Sequence, residues 1–268
     1  MANEMADENA ITDTDANPDQ PIVRKISPAD LRDVLARGLD DFKAKPSHIL
    51  LLVFLYPIVG LILIRITAGY DILPLIFPIL AGFALLGPLA AIGLYELSRR
   101  RELGLDVAWK HAFDVLRSPS IGAIVTLSIV MMALYFSWLG TALGIYGLFF
   151  GDAVPASIEE FVRQILTTPA GWGLIIVGCG VGFLFAVMAL TISVVSFPML
   201  IDQNVSAMTA IHTSIRSVLA NPVTMAMWGL IVAGSLAIGS LPFLFGLAVV
   251  MPVLGHATWH LYRKVVER

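Results

Sequence analysis

The sequence predicts an all-α integral membrane protein, and three observations lead to this fold class. Hydrophobic residues make up 57% of the 268 positions, and charged residues only 14%. A water-soluble core of this size cannot bury so large an apolar fraction. The apolar residues also form stretches of about 20, the length that crosses a bilayer as a helix. We therefore predict a six-span transmembrane helical bundle.

Six stretches are long and apolar enough to be spans. They lie at about 48–68, 72–96, 120–149, 171–200, 222–240 and 243–262. The third and fourth are longer than one crossing requires. We expect tilt, a kink near Gly140 or Gly144, or extension beyond the lipid to absorb the surplus.

The basic residues predict how these spans are oriented. With alternating loops, every Lys and Arg except Arg65 and Arg163 falls on one side of the membrane. The positive-inside rule then places both termini in the cytoplasm. The basic run Arg99, Arg100 and Arg101 belongs to this side and is also suited to attract anionic lipid.

The N-terminal segment differs in composition from the remainder. Its first twenty residues carry six carboxylates and no Lys or Arg, which is untypical of a signal peptide. We interpret residues 1–21 as a disordered acidic tail and residues 22–268 as the integral membrane domain. Cys179 is the one cysteine and lies within an apolar run, so the chain offers no internal disulfide.

Three prolines at the start of predicted spans suggest an internal repeat. Pro46, Pro119 and Pro222 each follow a short amphipathic pattern, and Asp41 and Asp114 both lie five residues before their proline. The predicted repeat is an interfacial amphipathic helix, a proline and two spans. Its three units cover about 27–101, 102–204 and 205–265.

The prolines also predict local helix boundaries. Proline tolerates only the first turn of a helix, so Asn221 and Pro222 are interpreted as N-cap and N1 of a span that directly follows a surface helix. Ser27, Pro28 and Asp30 predict the start of the first amphipathic helix. On the opposite side, residues 154–169 predict a short amphipathic helix capped by Ser157.

One polar constellation is a candidate site. Glu96, Asp202, His256 and His260 fall at equivalent positions near the cytoplasmic ends of the returning spans. His256 and His260 are four residues apart and therefore neighbours on one helix face. Two imidazoles with carboxylates nearby could hold a divalent metal or relay protons. The alternative is that these are ordinary polar groups at helix ends, facing headgroups and water.

Several segments resemble a known family. "RKISPADLRDVLARGLDDF", the "AFDVLRSP" and "LANP" junctions and "GHATWHLYRK" are similar to bacterial integral membrane proteins grouped as domain of unknown function 2189. The resemblance covers about residues 22–265 and implies a six-span inner-membrane protein without an established activity. Some relatives are labelled cytochrome c oxidase subunits. This chain has too few spans and histidines for a haem-copper catalytic subunit, which leaves an accessory role near respiratory complexes.

Three functions stay open at this point. The first is a non-catalytic scaffold or assembly partner, since the sequence offers neither a catalytic set nor a nucleic-acid-binding patch and no cofactor is evident. The second is a transporter for a small solute or a lipid, because repeated two-span units are common in transporters. The third is a metal- or haem-binding membrane protein that uses His256 and His260. The predicted partners are the lipid bilayer and a membrane protein.

Overall fold

The structure is a computed structural model that describes residues 21–44, 58, 62, 65, 73–152, 155–242 and 244–267. Within these residues the regular elements are helices, and the extended backbone is confined to one isolated bridge between Val23 and Val266. The predicted all-α class is therefore confirmed. Residues 1–20 of the predicted acidic tail, Pro46 and most of the first predicted span lie outside the described residues.

The α-helices are numbered in chain order. They are α1 Pro28–Ala44, α2 Ile76–Gly82, α3 Gly87–Ala90, α4 Ile92–Glu102, α5 Ile121–Phe150, α6 Ile158–Thr167, α7 Pro169–Ser193, α8 Ser196–Asp202, α9 Ala207–Ala220, α10 Pro222–Ser240 and α11 Leu247–Val265. Short 3-10 helices occupy Leu73–Leu75, Phe83–Leu86 and Trp109–Arg117.

Among the described residues, four helical segments are long and apolar enough to cross a membrane. They are Leu73–Glu102, Ile121–Phe150, Pro169–Asp202 and Pro222–Ser240. They correspond to the second, third, fourth and fifth predicted spans. At 1.5 Å per residue the first three are roughly 45–50 Å long, well above the ~30 Å hydrocarbon thickness. Their surplus length extends them beyond the apolar layer.

The long spans differ in how regular they are. Leu73–Glu102 is divided by a 3-10 turn at Phe83–Leu86, and Pro169–Asp202 by a turn between α7 and α8. In contrast, α5 continues as one helix through Gly140 and Gly144, where a kink was one of the expectations.

The sixth predicted span forms α11, which is not among the four candidate spans. Its C-terminal half carries His256, His260, Arg263 and Lys264 and packs against α1. A helix whose polar side chains meet a polar neighbour does not need the apolar composition of a lipid-facing one.

Helix α1 packs closely and antiparallel on the C-terminal half of α11. Asp30, near the start of α1, pairs with Lys264, and Gly38, further along α1, lies against Ala257. A Cβ added at Gly38 would come within 2.7 Å of the Ala257 backbone nitrogen. Only glycine allows this approach. Leu31, Val34 and Phe42 complete the buried face of α1.

The two ends of the described chain meet beside this helix pair. The Arg24 amide donates to the Val265 carbonyl at 2.7 Å, and the Glu267 amide donates to the Ile22 carbonyl at 3.0 Å. Arg24 and Glu267 also form an ion pair. The segment before α1 and the segment after α11 therefore lie on the same side of the molecule.

The predicted junction at Asn221 and Pro222 is confirmed. Helix α9 ends at Ala220, Asn221 occupies both cap positions, and α10 begins at Pro222. The Asn221 side chain does not cap α10. Its Oδ1 accepts from the Ile26 amide at 2.7 Å, and its Nδ2 donates to the Arg24 carbonyl at 3.0 Å. The asparagine therefore ties the N-terminal segment to this junction.

The other predicted helix starts are also confirmed. The Ser27 amide and hydroxyl both donate to the Asp30 carboxylate at 2.8 Å, and α1 begins at Pro28. Partial burial would raise the pKa of Asp30, but hydrogen bonds from Lys264 and Ser27 lower it to about 2. At α6, the Ser157 hydroxyl accepts from the Glu160 amide at 3.1 Å.

The two described proline junctions are not identical. Pro222 is the first residue of α10, whereas Pro119 precedes the start of α5 by two residues and follows a 3-10 helix. Pro46 is not described. The threefold repeat and its unit boundaries stay a prediction.

Asn221→Ala is expected to lower the free energy of unfolding by about 2–3 kcal/mol, because the Ile26 amide and the Arg24 carbonyl lose a buried partner. Thermal unfolding in detergent measures the loss. Trypsin cleavage after Arg24 and Lys25 should accelerate, since the segment is no longer held. Asn204→Ala, at an exposed asparagine with one long hydrogen bond, is the control. Equal cleavage in both variants would contradict the proposed tie.

Candidate functional site

The C-terminal turns of α4 form the centre of the polar end of the molecule. Charged side chains of α4 form ion pairs there with side chains of α1, α11 and the 3-10 helix Trp109–Arg117. Arg99 pairs with Glu96 at 2.8 Å, Arg100 with Asp114 at 3.3 Å and Arg101 with Asp41 at 2.7 Å. Each arginine of the basic run therefore binds a different carboxylate.

Asp41 is the most densely bonded carboxylate of this region. Its Oδ2 accepts from the Ser98 hydroxyl at 2.6 Å and from His260 Nε2 at 2.9 Å, and its Oδ1 accepts from Arg101 at 2.7 Å. His256 also lies in this group of side chains. Its Nδ1 is 2.8 Å from Ser98 Oγ and 4.0 Å from Asp41 Oδ2. We call Asp41, Ser98, Arg101, His256 and His260 the polar hub.

The hydrogen bonds of the polar hub fix where its protons lie. Ser98 has one hydroxyl hydrogen, which it donates to Asp41, the nearer of its two partners. The Ser98 oxygen must then accept a hydrogen bond from His256. His256 then carries a hydrogen on Nδ1. His260 carries one on Nε2, which it donates to Asp41.

The environment also fixes the charge of Asp41, whose side chain is only 9% exposed. Burial would raise its pKa. Hydrogen bonds from His260 and Ser98, and the charges of His260 and His256, outweigh burial and hold the pKa below its ordinary value of 3.8. Asp41 is therefore a carboxylate at neutral pH.

A serine, a histidine and an aspartate meet here, but not in the order that activates a nucleophile. In a catalytic triad the histidine bridges the serine and the aspartate. In the polar hub Ser98 bridges Asp41 and His256, and its hydroxyl donates to the carboxylate. Ser98 is only 1% exposed. The arrangement suits a structural link between α1, α4 and α11.

The two predicted acidic members of the constellation lie on another side of α4. Glu96 pairs with Arg99, and Asp202 accepts from the Tyr262 hydroxyl at 2.8 Å and lies 3.6 Å from Arg263. Both carboxylates line a cavity of about 350 Å³. His256 instead lines a separate cavity of about 280 Å³ together with Asp41 and Arg101.

The structure thus does not bring the candidate cluster together: Glu96 and Asp202 line one cavity, His256 lines another, and His260 pairs with Asp41. Among the described residues, no group of three or more His, Cys, Asp or Glu side chains is arranged to hold a metal ion. Around the two histidines, the Asp41 oxygens are occupied by hydrogen bonds from Ser98, Arg101 and His260.

Three members of the polar hub were not among the candidate residues. Asp41 entered the sequence analysis as a repeat match, Arg101 as part of a basic run, and Ser98 not at all. One signal was available for Asp41, which lies three residues after Gly38 and seven after Val34 on the buried stripe of α1. A carboxylate on a buried stripe requires a partner from another element.

Asp41→Asn is expected to lower the free energy of unfolding by about 2–4 kcal/mol at neutral pH, since it removes a buried carboxylate from Arg101 and His260. A carboxyl group whose folded pKa is depressed stabilises the fold above its unfolded pKa and loses this effect as pH falls through the folded pKa. The difference from wild type should therefore shrink on acidification below about pH 4.

Asp114→Asn is the matched control for this measurement. Asp114 also lies five residues before a proline, but it is 38% exposed and has one 3.3 Å contact with Arg100. Its replacement should change the free energy of unfolding by less than ~1 kcal/mol. Equal losses for the two variants, or a loss for Asp41→Asn that does not depend on pH, would contradict a structural role for the ionised carboxylate.

Comparison with known proteins gives one match. No curated protein and no solved structure matches the chain significantly. Residues 76–202, which contain most of the first three candidate spans, match the model of one family. The resemblance predicted from the sequence is confirmed over these residues. The chain is an integral membrane protein that, over residues 76–202, is similar to the family described as "Predicted integral membrane protein (DUF2189)".

Proposed function

We propose that the protein is a non-catalytic scaffold of the bacterial inner membrane that acts as an accessory or assembly partner of another membrane protein. The observation that carries the proposal is the contrast between its two parts. The polar end is closely packed and bonded across α1, α4 and α11. The candidate spans are only 6–28% buried over their apolar windows. Such a molecule is suited to act as a platform that displays apolar helices.

Of the four candidate spans, Pro169–Asp202 has the least buried window. The window in Pro169–Asp202 is 6% buried, and Ile176, Phe183 and Leu184 of α7 are among its exposed side chains. In a bilayer these side chains contact lipid or another membrane helix. An assembly role uses this surface for protein contact, in line with an accessory function near respiratory complexes.

Six crossings with both termini in the cytoplasm belong to the same proposal. Helix α11 begins beside the end of α10, where Gly246 lies against Gly239. It ends at Val265, whose carbonyl accepts from the Arg24 amide. The Arg24 carbonyl in turn accepts from the Asn221 side chain at the start of α10. If α10 crosses the bilayer, α11 must cross back.

A parallel argument supports a crossing before the first candidate span. Asp41, near the end of α1, contacts Ser98 near the end of Leu73–Glu102. The start of that span lies far from Asp41. The Pro78 carbonyl near this start accepts from Trp138, which is 17 residues along α5 from Ile121. A crossing between Ala44 and Leu73 is therefore part of the proposal.

The alternatives draw less support. The cavities lined by Glu96, Asp202 and His256 lie among ion-paired side chains of the polar end, which favours structural links over a transport path. The histidine pair is committed to Ser98 and Asp41, which favours the same interpretation over metal or haem binding.

The orientation is tested with one cysteine at a time in a Cys179→Ser background. Ala29→Cys at the start of α1 and Ala156→Cys before α6 are both exposed positions. A membrane-impermeant maleimide added to spheroplasts should label Ala156→Cys at once and Ala29→Cys only after the membrane is opened. Labelling of both positions, or of Ala29→Cys first, would contradict cytoplasmic termini.

The scaffold function is tested by photo-crosslinking in native membranes. A benzoylphenylalanine in place of Phe183, which is 63% exposed, should give a discrete protein adduct. The matched position is Phe197, which lies in the same helical segment and is 0% exposed, and it should give only internal crosslinks. Deletion of the gene should then reduce the assembled complex of the captured partner on native gels. An adduct pattern with lipid alone, or an unchanged complex, would contradict the proposal.

A further inference from the structure

The 3-10 helix Trp109–Arg117 leaves a distinct surface next to the start of α5. Trp109, Phe113 and Leu116 are each about 60–70% exposed, and the Trp109 and Phe113 rings meet edge to face. Tryptophan and other amphipathic or apolar side chains at this position sit at the boundary between acyl chains and headgroups. This face of the helix is therefore suited to contact lipid.

A basic pocket opens beside this apolar face. It has a volume of about 590 Å³. Its polar lining consists of Arg100, Lys110, His111, Asp114 and Arg117. Phe113 and Leu116 supply its apolar lining. We call it the headgroup pocket.

The charges of the headgroup pocket are unbalanced. Arg100 and Asp114 form an ion pair and offset one another. Lys110 and Arg117 are both exposed, and among the described residues neither forms an ion pair. Two positive charges are thus available beside apolar side chains at the membrane boundary.

His111 adds a further hydrogen-bond donor. Its Nδ1 accepts from the Ala108 amide at 3.0 Å, so the hydrogen of the neutral ring lies on Nε2. Nε2–H, the Lys110 ammonium and the Arg117 guanidinium are the kinds of donor that phosphate oxygens accept from.

We propose that the headgroup pocket binds the phosphate of one anionic phospholipid, with its acyl chains along Phe113 and Leu116. Charge complementarity and the exposed apolar side chains together select this occupant. A free phosphate would use the cations but leave the apolar lining unused. A zwitterionic phospholipid would bring its own cation towards Lys110 and Arg117. The site is independent of the proposed scaffold function.

Native mass spectrometry of the detergent-purified full chain tests the proposal, with phosphatidylglycerol and phosphatidylcholine as probes. Wild type should retain one phosphatidylglycerol and little phosphatidylcholine. Lys110→Ala/Arg117→Ala should bind phosphatidylglycerol about 30-fold more weakly, the effect of two lost near-surface charges. Lys25→Ala/Arg32→Ala removes the same charge from exposed positions outside the pocket and should leave binding unchanged.

Further arms exclude other sources of the signal. Thermal unfolding of both double variants should match wild type, because the replaced side chains are exposed. If the pocket variant unfolds early, Lys110→Gln and Arg117→Gln measured singly provide the comparison. Equal retention of the two lipids, equal binding by the two double variants, or displacement of the lipid by millimolar inorganic phosphate would overturn the proposal.

Discussion

The close approach of α1 to the C-terminal half of α11 is the constraint on which the remaining structure depends. Gly38 brings the two backbones together at Ala257, and this distance sets which side chains can meet. At one end of the pair, Lys264 reaches Asp30. At the other, His260 reaches Asp41. The pair also brings the Arg24 segment beside Val265, within reach of Asn221. A bulkier residue at position 38 would disturb all of these contacts at once.

Helix starts were predictable because the chemistry that fixes them is local. Ser27 and Asp30 are three residues apart, as are Ser157 and Glu160, and proline restricts its own turn wherever it occurs. The four described spans were predictable for a similar reason, since lipid imposes an apolar composition on each helix separately. Only their ends and the breaks at Phe83–Leu86 and after Ser193 required the structure.

The polar hub was not predictable from the same signals, because its members come from three distant parts of the chain. Asp41 and His260 are 219 positions apart, and neither sequence segment contains a local signal that identifies the other residue as its partner. The proposed repeat related Glu96 to His260 by position along a span. In the structure, Glu96 pairs with Arg99 of its own helix. His260 instead pairs with Asp41 of α1, which approaches α4 from the side of Ser98 and Arg101.

The structure also divides the basic residues into two physical classes that the positive-inside rule treats alike. Arg99, Arg100 and Arg101 each pair with a carboxylate of the protein, so their charge stabilises the polar end and little of it acts on lipid. Lys110 and Arg117 follow in the next segment and line a pocket with a surplus of positive charge. A run of three arginines is the most conspicuous basic feature of the sequence. The two isolated cations are nevertheless better placed to bind an anion, because charge that is already paired inside the protein has little left to offer a ligand.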